Sequence, residues 1–414
     1  MTINAPRGVH DIIGANAFKM TELENNAKFI FARHGFIEAR TPIFEDIALF
    51  IRSIGEQTDI VSKEMYVFED KKGKKFALRP EGTASFVRAY IEHRLDMSYP
   101  EGKFFYSGEM FRYERPQAGR YRQFHQIGGE FLGNSSPSAD AEIIIITADI
   151  LSSVGIKELS IHINSLGCCN CRPKFRQALI DYFSSIKDLC QDCQIRLEKN
   201  PLRLLDCKID SSKFTNVPKM TDFLCPECKE NFSIAQDLLK SAGYKFRVDD
   251  KLVRGLDYYN RIVFEIRSSV LGAQDALAGG GRYDNLVKDL GGQPIPAVGF
   301  ALGSERVILA AQETDFFEKK EKAKKIYIAV ADKELIGDAF AFAIRITKQG
   351  LKNNKNISVY PPLIDKNFTN QLKFANKINA DETIVFAKNE FDNGNLIVKD
   401  MKARTQIEIP ISEI

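Results

Sequence analysis

The 414-residue chain has no excess of charge of either sign: 58 Lys and Arg stand against 55 Asp and Glu, a net charge of +3. That excludes a histone-like polycation and a polyacidic tail, so any nucleic-acid contact has to come from a local basic patch. No apolar run approaches the ~18 residues a membrane-spanning helix needs; the most conspicuous is Ile143 to Ile146. Around Arg7, His10 and Asp11 there is no apolar segment of the kind a secretory signal carries, and the expected location is the cytoplasm, with no membrane partner. Cysteine is missing from most of the chain. All eight lie between Cys168 and Cys228, unlike a secreted disulfide scaffold, which spreads them along the sequence.

What is present points to several domains, since roughly 150 residues per domain predicts two or three. Residues 18–34 read as a helix with Leu23, Ala27, Ile30 and His34 on one face and Gly35 as its stop. Gly35 to Thr41 reads as a strand, and Pro42 assigns it to an edge or an interface because proline cannot donate to a ladder. The Leu78-Arg79-Pro80-Glu81-Gly82-Thr83 turn leads into a helix near Ser85 to Arg94. Phe104 to Tyr113 and Tyr121 to Phe131 read as a long antiparallel hairpin, with Pro116 and Gly119 marking the loop. Residues 168–241 hold all the cysteines and read as a helical insertion. Strands resume at Phe246 and at Ile262, a Gly-rich turn is expected at Gly279-Gly280-Gly281, and a charged connector runs from 316 to 325. An α/β pattern then opens at Ile326.

The densest chemical signal is residues 112–126, where four Arg stand against one Glu. Guanidinium forks suit phosphate because they offer paired donors and stay charged. On the returning strand a period of two puts Arg122, Phe124, Gln126, Gly128 and Glu130 on one face. An aromatic, an amide and an acid in one row can line a small polar pocket, whereas a solvated hairpin face is the plainer account. Taken one at a time, other candidates also have plain readings. Arg254 could form a buried ion pair with Asp257 or a neighbour, Tyr258-Tyr259 could be strand packing, and the Gly279 run could be a flexible turn.

Phe111-Arg112-Tyr113-Glu114-Arg115-Pro116-Gln117 through Phe124-His125-Gln126 resembles motif 2 of the class II aminoacyl-tRNA synthetases, in its histidyl form. Gly35 to Glu45 resembles motif 1, and Gly299 to Arg306 resembles motif 3. Leu252 to Asn260, Ala278 to Asp284, Arg7 to Asp11 and Arg79 to Thr83 are similar to segments of histidyl-tRNA synthetases. The resemblance covers essentially the whole chain.

It implies an α+β fold: a class II antiparallel sheet core flanked by helices over 1–167 and 242–315, the insertion over 168–241, a linker over 316–325, and an α/β anticodon-binding domain over 326–414. It implies activation of histidine by ATP with Mg²⁺ and transfer to histidine tRNA. Arg112 and Arg254 would face the α-phosphate from opposite sides, Arg120 and Arg306 would reach the β- and γ-phosphates, and Phe124 would stack on adenine. Glu81, Thr83 and Gln126 would take the α-ammonium; Glu130 and Tyr259 would address the two imidazole nitrogens, with Tyr258 and Tyr283 completing the wall. Arg115 and Gln117 would reach the tRNA acceptor end. Motif 1 implies a homodimer. The other reading is a non-catalytic regulatory paralogue of ATP phosphoribosyltransferase, which tends to lose Glu81, Arg254 and the motif 2 arginines.

The cysteines stand apart from the resemblance. Cys190-x₂-Cys193 and Cys225-x₂-Cys228 are spaced for a tetrahedral structural zinc of four thiolates, with Cys171 and Cys207 as further candidates. Reduced cysteines packed in a helical insertion are the alternative. The C-terminal segment from Ile326 carries 12 basic against 11 acidic residues, so its charge does not argue for RNA binding and that role rests on the resemblance.

Overall fold

Alternating side chains and two long β-rich runs joined by a Pro- and Gly-containing loop produce the longest hairpin of the main sheet. In the computed structural model, which describes residues 3–56, 58–272, 275–314, 316–317, 323–363 and 365–414, the chain divides into two units, Met1–Phe317 and Glu318–Ile414. Half of the expected connector, residues 318–322, lies outside the described residues; of the rest, Phe316 and Phe317 pack on the main core and Lys324 and Lys325 already belong to the first strand of the second unit.

In the first unit, β1 (Ile37–Glu38) is followed by a small antiparallel sheet of β2 (Phe44–Asp46), β3 (Val67–Glu69) and β4 (Lys75–Leu78), in the order β2-β4-β3. The hairpin is β5 (Gly102–Phe111) and β6 (Gln123–Leu132). Then come β7 (Leu159–Ser165), β8 (Phe246–Val248), β9 (Asn260–Ser268), β10 (Ala276–Arg282) and β11 (Ala297–Gly303). The main sheet runs β1-β5-β6-β11-β10-β9-β7-β8. Its interior is antiparallel, and one parallel pair closes each edge, β1 on β5 and β8 on β7. The motif 1 strand is thus an edge strand, but it shrinks to two residues.

The two faces of the sheet have separate tasks. On β6, Ile127 and Phe131 point into the main core, against the helix Pro137–Ser153. That helix buries Ile143, Ile144, Ile146 and Ile150 together, which is why its apolar residues show no single stripe. The helix Ala15–Arg33 adds Leu23, Ala27 and Phe31 to the same core; of the expected face, Ile30 is only partly buried and His34, just past the helix, bonds to Glu142, and Gly35 behind it takes the left-handed φ of 75° that a helix stop favours. The opposite face, carrying Gln126 and Glu130, meets the helix Thr83–Glu92.

Gly279, Gly280 and Gly281 lie inside β10, between β9 and β11, and not in a turn. Strand geometry wins over turn propensity here because side chains do not fit: a Cβ on Gly279 would overlap the Arg254 guanidinium, and one on Gly280 would strike the backbone of β11.

The insertion has its own core of Phe175, Leu179, Phe183, Leu204, Phe214 and Met220. Its last helix, Pro226–Ser241, sends Phe232, Ala235 and Leu239 into the main core, so by packing the insertion ends near Cys228, short of 241.

The second unit is a five-stranded sheet, in the order β13-β12-β14-β15-β16, of β12 (Lys324–Val330), β13 (Ile357–Tyr360), β14 (Glu382–Phe386), β15 (Asn395–Asp400) and β16 (Thr405–Pro410). β13, β12 and β14 are parallel, and the rest antiparallel. Ile326, Ile328 and Val330 pack with Phe342 and Ile346 of the helix Ile336–Lys352, while Tyr327 and Ala329 pack with Ala375 of the helix Phe368–Lys377. The alternation along β12 therefore puts one helix on each face. No helix among the described residues is long and apolar enough to cross a membrane.

Candidate active site

A cavity of about 530 Å³ opens over the middle of the main sheet. Its floor is Phe124 and Gln126 of β6 with Ala301 and Gly303 of β11. Arg112, just past β5, stands on one wall; Arg254, against Gly279 of β10, stands on the other. The sheet order places β6 and β11 between them, so the two guanidinium groups face each other across the floor.

Each arginine is fixed by its neighbours. Arg112 Nε donates to the Pro80 carbonyl at 2.9 Å, and its guanidinium lies 5.3 Å from the centre of the Phe124 ring. Arg254 Nη1 donates to Glu265 Oε1 at 2.7 Å, and Arg267 Nε holds the other oxygen of Glu265 at 2.6 Å. Arg254 is thus ion-paired, but to Glu265 and not to Asp257, which is engaged by Asn200 and Arg203. Arg120 pairs with Glu114 at the turn of the hairpin loop, where Gln117 and Arg120 exchange backbone hydrogen bonds of 3.1 and 2.9 Å around Gly119 at φ 69°. Arg306 lines the same cavity, next to Gly119. Arg115 and Gln117 are exposed on that loop.

Beyond Gln126 the row on β6 continues into a buried polar cluster. Glu130 is fully buried and accepts from Thr83 Oγ1 at 2.7 Å, from Tyr106 at 3.2 Å and from Tyr283. Burial pushes its carboxyl up to about 8, with the charge of Glu81 adding to the rise, while the three hydroxyls pull the other way. Glu81, also buried and raised by burial, accepts from the backbone N–H of Thr83 at 2.7 Å and of Ala84 at 2.9 Å. It thereby caps the helix Thr83–Glu92, which is why that helix starts two residues earlier than its apolar pattern predicts. Tyr258, Tyr259 and Tyr283 cluster with ring centres 4.6 to 6.4 Å apart. Burial lifts Tyr259 to about 12. The residues expected to meet the amino acid therefore lie together in one buried cluster, beside the cavity that holds the arginines and sharing strand β6 with its floor. Gln126 joins the two parts: its Oε1 is buried with no hydrogen-bond partner.

Sequence reasoning missed Tyr106 and Glu265. Tyr106 faces Gly128 across the β5–β6 ladder, and a glycine inside an otherwise bulky strand was its available signal. The cysteines were also grouped wrongly. Cys190 and Cys193 do not meet Cys225 and Cys228. The thiols gather as Cys168, Cys171, Cys225 and Cys228 in one place and as Cys190, Cys193 and Cys207, with Asp210, in another.

The histidyl-tRNA synthetase family model matches residues 8–171 and 210–307. The histidine–tRNA ligase of Endomicrobium trichonymphae is 65% identical over 413 residues, covering 100% of both chains, and that of Aquifex aeolicus is 45% identical over 417 residues, also covering 100% of both. The structure of apo S. aureus histidyl-tRNA synthetase superposes with a TM-score of 0.80 at 33% identity, covering 99% of this chain and 98% of that one. A Bacillus halodurans C structure described as an ATP phosphoribosyltransferase regulatory subunit/histidyl-tRNA synthetase shares the fold, at 20% identity and TM-score 0.69 over 93% of this chain and 98% of that one. The regulatory reading is not favoured against full-length identity to ligases. The chain belongs to the histidyl-tRNA synthetase family and is an aminoacyl-tRNA ligase built on the class II α+β core.

Proposed function

We propose that the chain activates histidine with ATP to histidyl-adenylate and then passes the histidyl group to the 3′ end of histidine tRNA. The observation that carries this is the pair of opposed guanidinium groups, Arg112 and Arg254, over a floor whose strand β6 also carries the buried Glu130. In the first step a histidine carboxylate oxygen attacks the α-phosphorus and the bond to the β-phosphate breaks, releasing pyrophosphate. Negative charge grows on the α-phosphoryl oxygens, and two fixed guanidinium groups oppose it without moving. Phe124 offers a face for adenine, and Arg120 and Arg306 meet the outer phosphates. Mg²⁺ arrives with the nucleotide, and Glu305 lines the cavity with carboxylate oxygens of the kind it takes, directly or through water.

The α-ammonium has three donors. The unpartnered Oε1 of Gln126, the Glu81 carboxylate and the Thr83 hydroxyl are three acceptors for it. The imidazole meets Glu130 and Tyr259 between Tyr258 and Tyr283. A buried acid left unmatched by an analogue is costly, so such a site can discriminate by ~10⁴–10⁵ without an editing domain. In the second step a terminal tRNA hydroxyl attacks the acyl carbon and AMP leaves. Arg115 and Gln117, exposed on the hairpin loop, meet the acceptor end, and the second unit takes the anticodon. A homodimer is supported by the edge position of β1 and by the exposure of Ile37, Ile43 and Phe44 beside it. The test is ATP–pyrophosphate exchange with each amino acid in turn. Exchange that depends on histidine and ignores the others supports the reading, and its absence overturns it.

A further inference from the structure

The insertion between β7 and β8 contains a second kind of chemistry that the ligase reaction does not use. Its thiols are arranged as two nested clusters. Cys168 and Cys171, where the chain leaves the core, meet Cys225 and Cys228, where it returns. Inside that loop, Cys190 and Cys193 meet Cys207 and Asp210. Every member thus belongs to a pair with two intervening residues, C-x₂-C with C-x₂-C in the outer cluster and C-x₂-C with C-x₂-D in the inner one.

We propose that the insertion is built around two zinc ions, one held by Cys168, Cys171, Cys225 and Cys228 and the other by Cys190, Cys193, Cys207 and Asp210. A tetrahedron with Zn–S bonds of ~2.3 Å has edges of about 3.8 Å. Cys168 and Cys171 sulfurs stand 3.6 Å apart, Cys168 and Cys225 3.9 Å, and Cys190 and Cys207 3.8 Å. The four donor atoms of each set lie within 4.8 Å of one another. These separations are far too long for disulfides, whose sulfurs bond at ~2.05 Å. Backbone amides already point at sulfur, Cys225 N–H at Cys171 Sγ (3.1 Å) and Asp210 N–H at Cys207 Sγ (3.3 Å), as metal-bound thiolates require. Asp210 is buried, with its carboxylate steered by the Cys190 N–H at 2.8 Å and Lys213 Nζ at 2.9 Å.

The sites connect to the active site through the chain beside each ligand. Arg172, next to Cys171, donates to the carbonyl of Tyr259. Asp206 and Lys208, on either side of Cys207, line the nucleotide cavity. Arg203, from the same 3₁₀ turn, donates to the Gly255 carbonyl at 2.6 Å, next to Arg254. The two ions thus fasten the insertion as a brace behind the segment from Arg254 to Tyr259.

The experiment is metal analysis of the purified full chain by mass spectrometry. The expected content is about two zinc per chain, about one in Cys225→Ser, about one in Asp210→Ala, and near zero in the double variant. Wild-type protein with less than ~0.2 zinc per chain overturns the proposal, because structural sites stay filled. Single variants that each lose all zinc, or none, overturn the two-site assignment. Should a variant fail to fold, cobalt(II) replacement in the wild type decides: charge-transfer and d–d bands of tetrahedral thiolate centres at two equivalents support the sites, and their absence overturns them.

Discussion

Glu265 grips Arg254 with one carboxylate oxygen, at 2.7 Å, and Arg267 with the other. The arginine proposed to meet the α-phosphate is therefore aimed from β9, a strand that contributes none of the residues proposed for the amino acid. Glu265→Gln keeps the shape and removes the charge. It should lower kcat for pyrophosphate exchange by about tenfold or more while changing the KM for histidine less, because the lost orientation matters most as charge develops. Steady-state exchange kinetics check the split.

Gly279→Ala should act on the same arginine from the other side. The added Cβ would overlap the Arg254 guanidinium, whose aliphatic stem can swing away more easily than β10 can shift. The expected result is a loss of exchange activity on the order of 10²-fold with an unchanged circular dichroism spectrum and only a modest fall in Tm.

Glu130 makes stability depend on pH. Its folded value of about 8 lies above the ordinary 4.5, so the native state holds a proton that the unfolded chain gives up between those limits. Its contribution is fully present below about pH 4.5 and is lost as pH rises towards 8. Glu130→Gln should flatten that part of the profile, measured as the urea midpoint against pH, and should raise the KM for histidine sharply.

Tyr283→Phe removes one of the three hydroxyls that favour the Glu130 carboxylate. The Glu130 carboxyl should then titrate still higher, and the falling limb of the stability profile should move to higher pH. A profile that coincides with wild type would separate Tyr283 from the acid.

The hairpin and its row of site residues were readable in the sequence because a strand repeats every two residues, and Phe124, Gln126 and Glu130 keep that spacing. The order of motifs carried the family. What stayed hidden was set by distant parts of the chain. Nothing local to Gly279-Gly280-Gly281 says that Arg254 and β11 need the space, so glycine there reads as a turn. Tyr106 sits in the apolar stretch Phe104-Phe105-Tyr106 and looks like core until Gly128 is seen across from it. The C-x₂-C pairs were each visible, but which pair meets which depends on the nested path of the insertion, and Asp210 carries no sulfur to mark it.

The most direct test of the account compares histidine-dependent ATP–pyrophosphate exchange in the wild type and Arg254→Ala. Removing one fixed charge from the α-phosphate should cost at least ~10²-fold in kcat, with the fold retained; equal exchange by the two proteins would contradict the role of the opposed guanidinium groups.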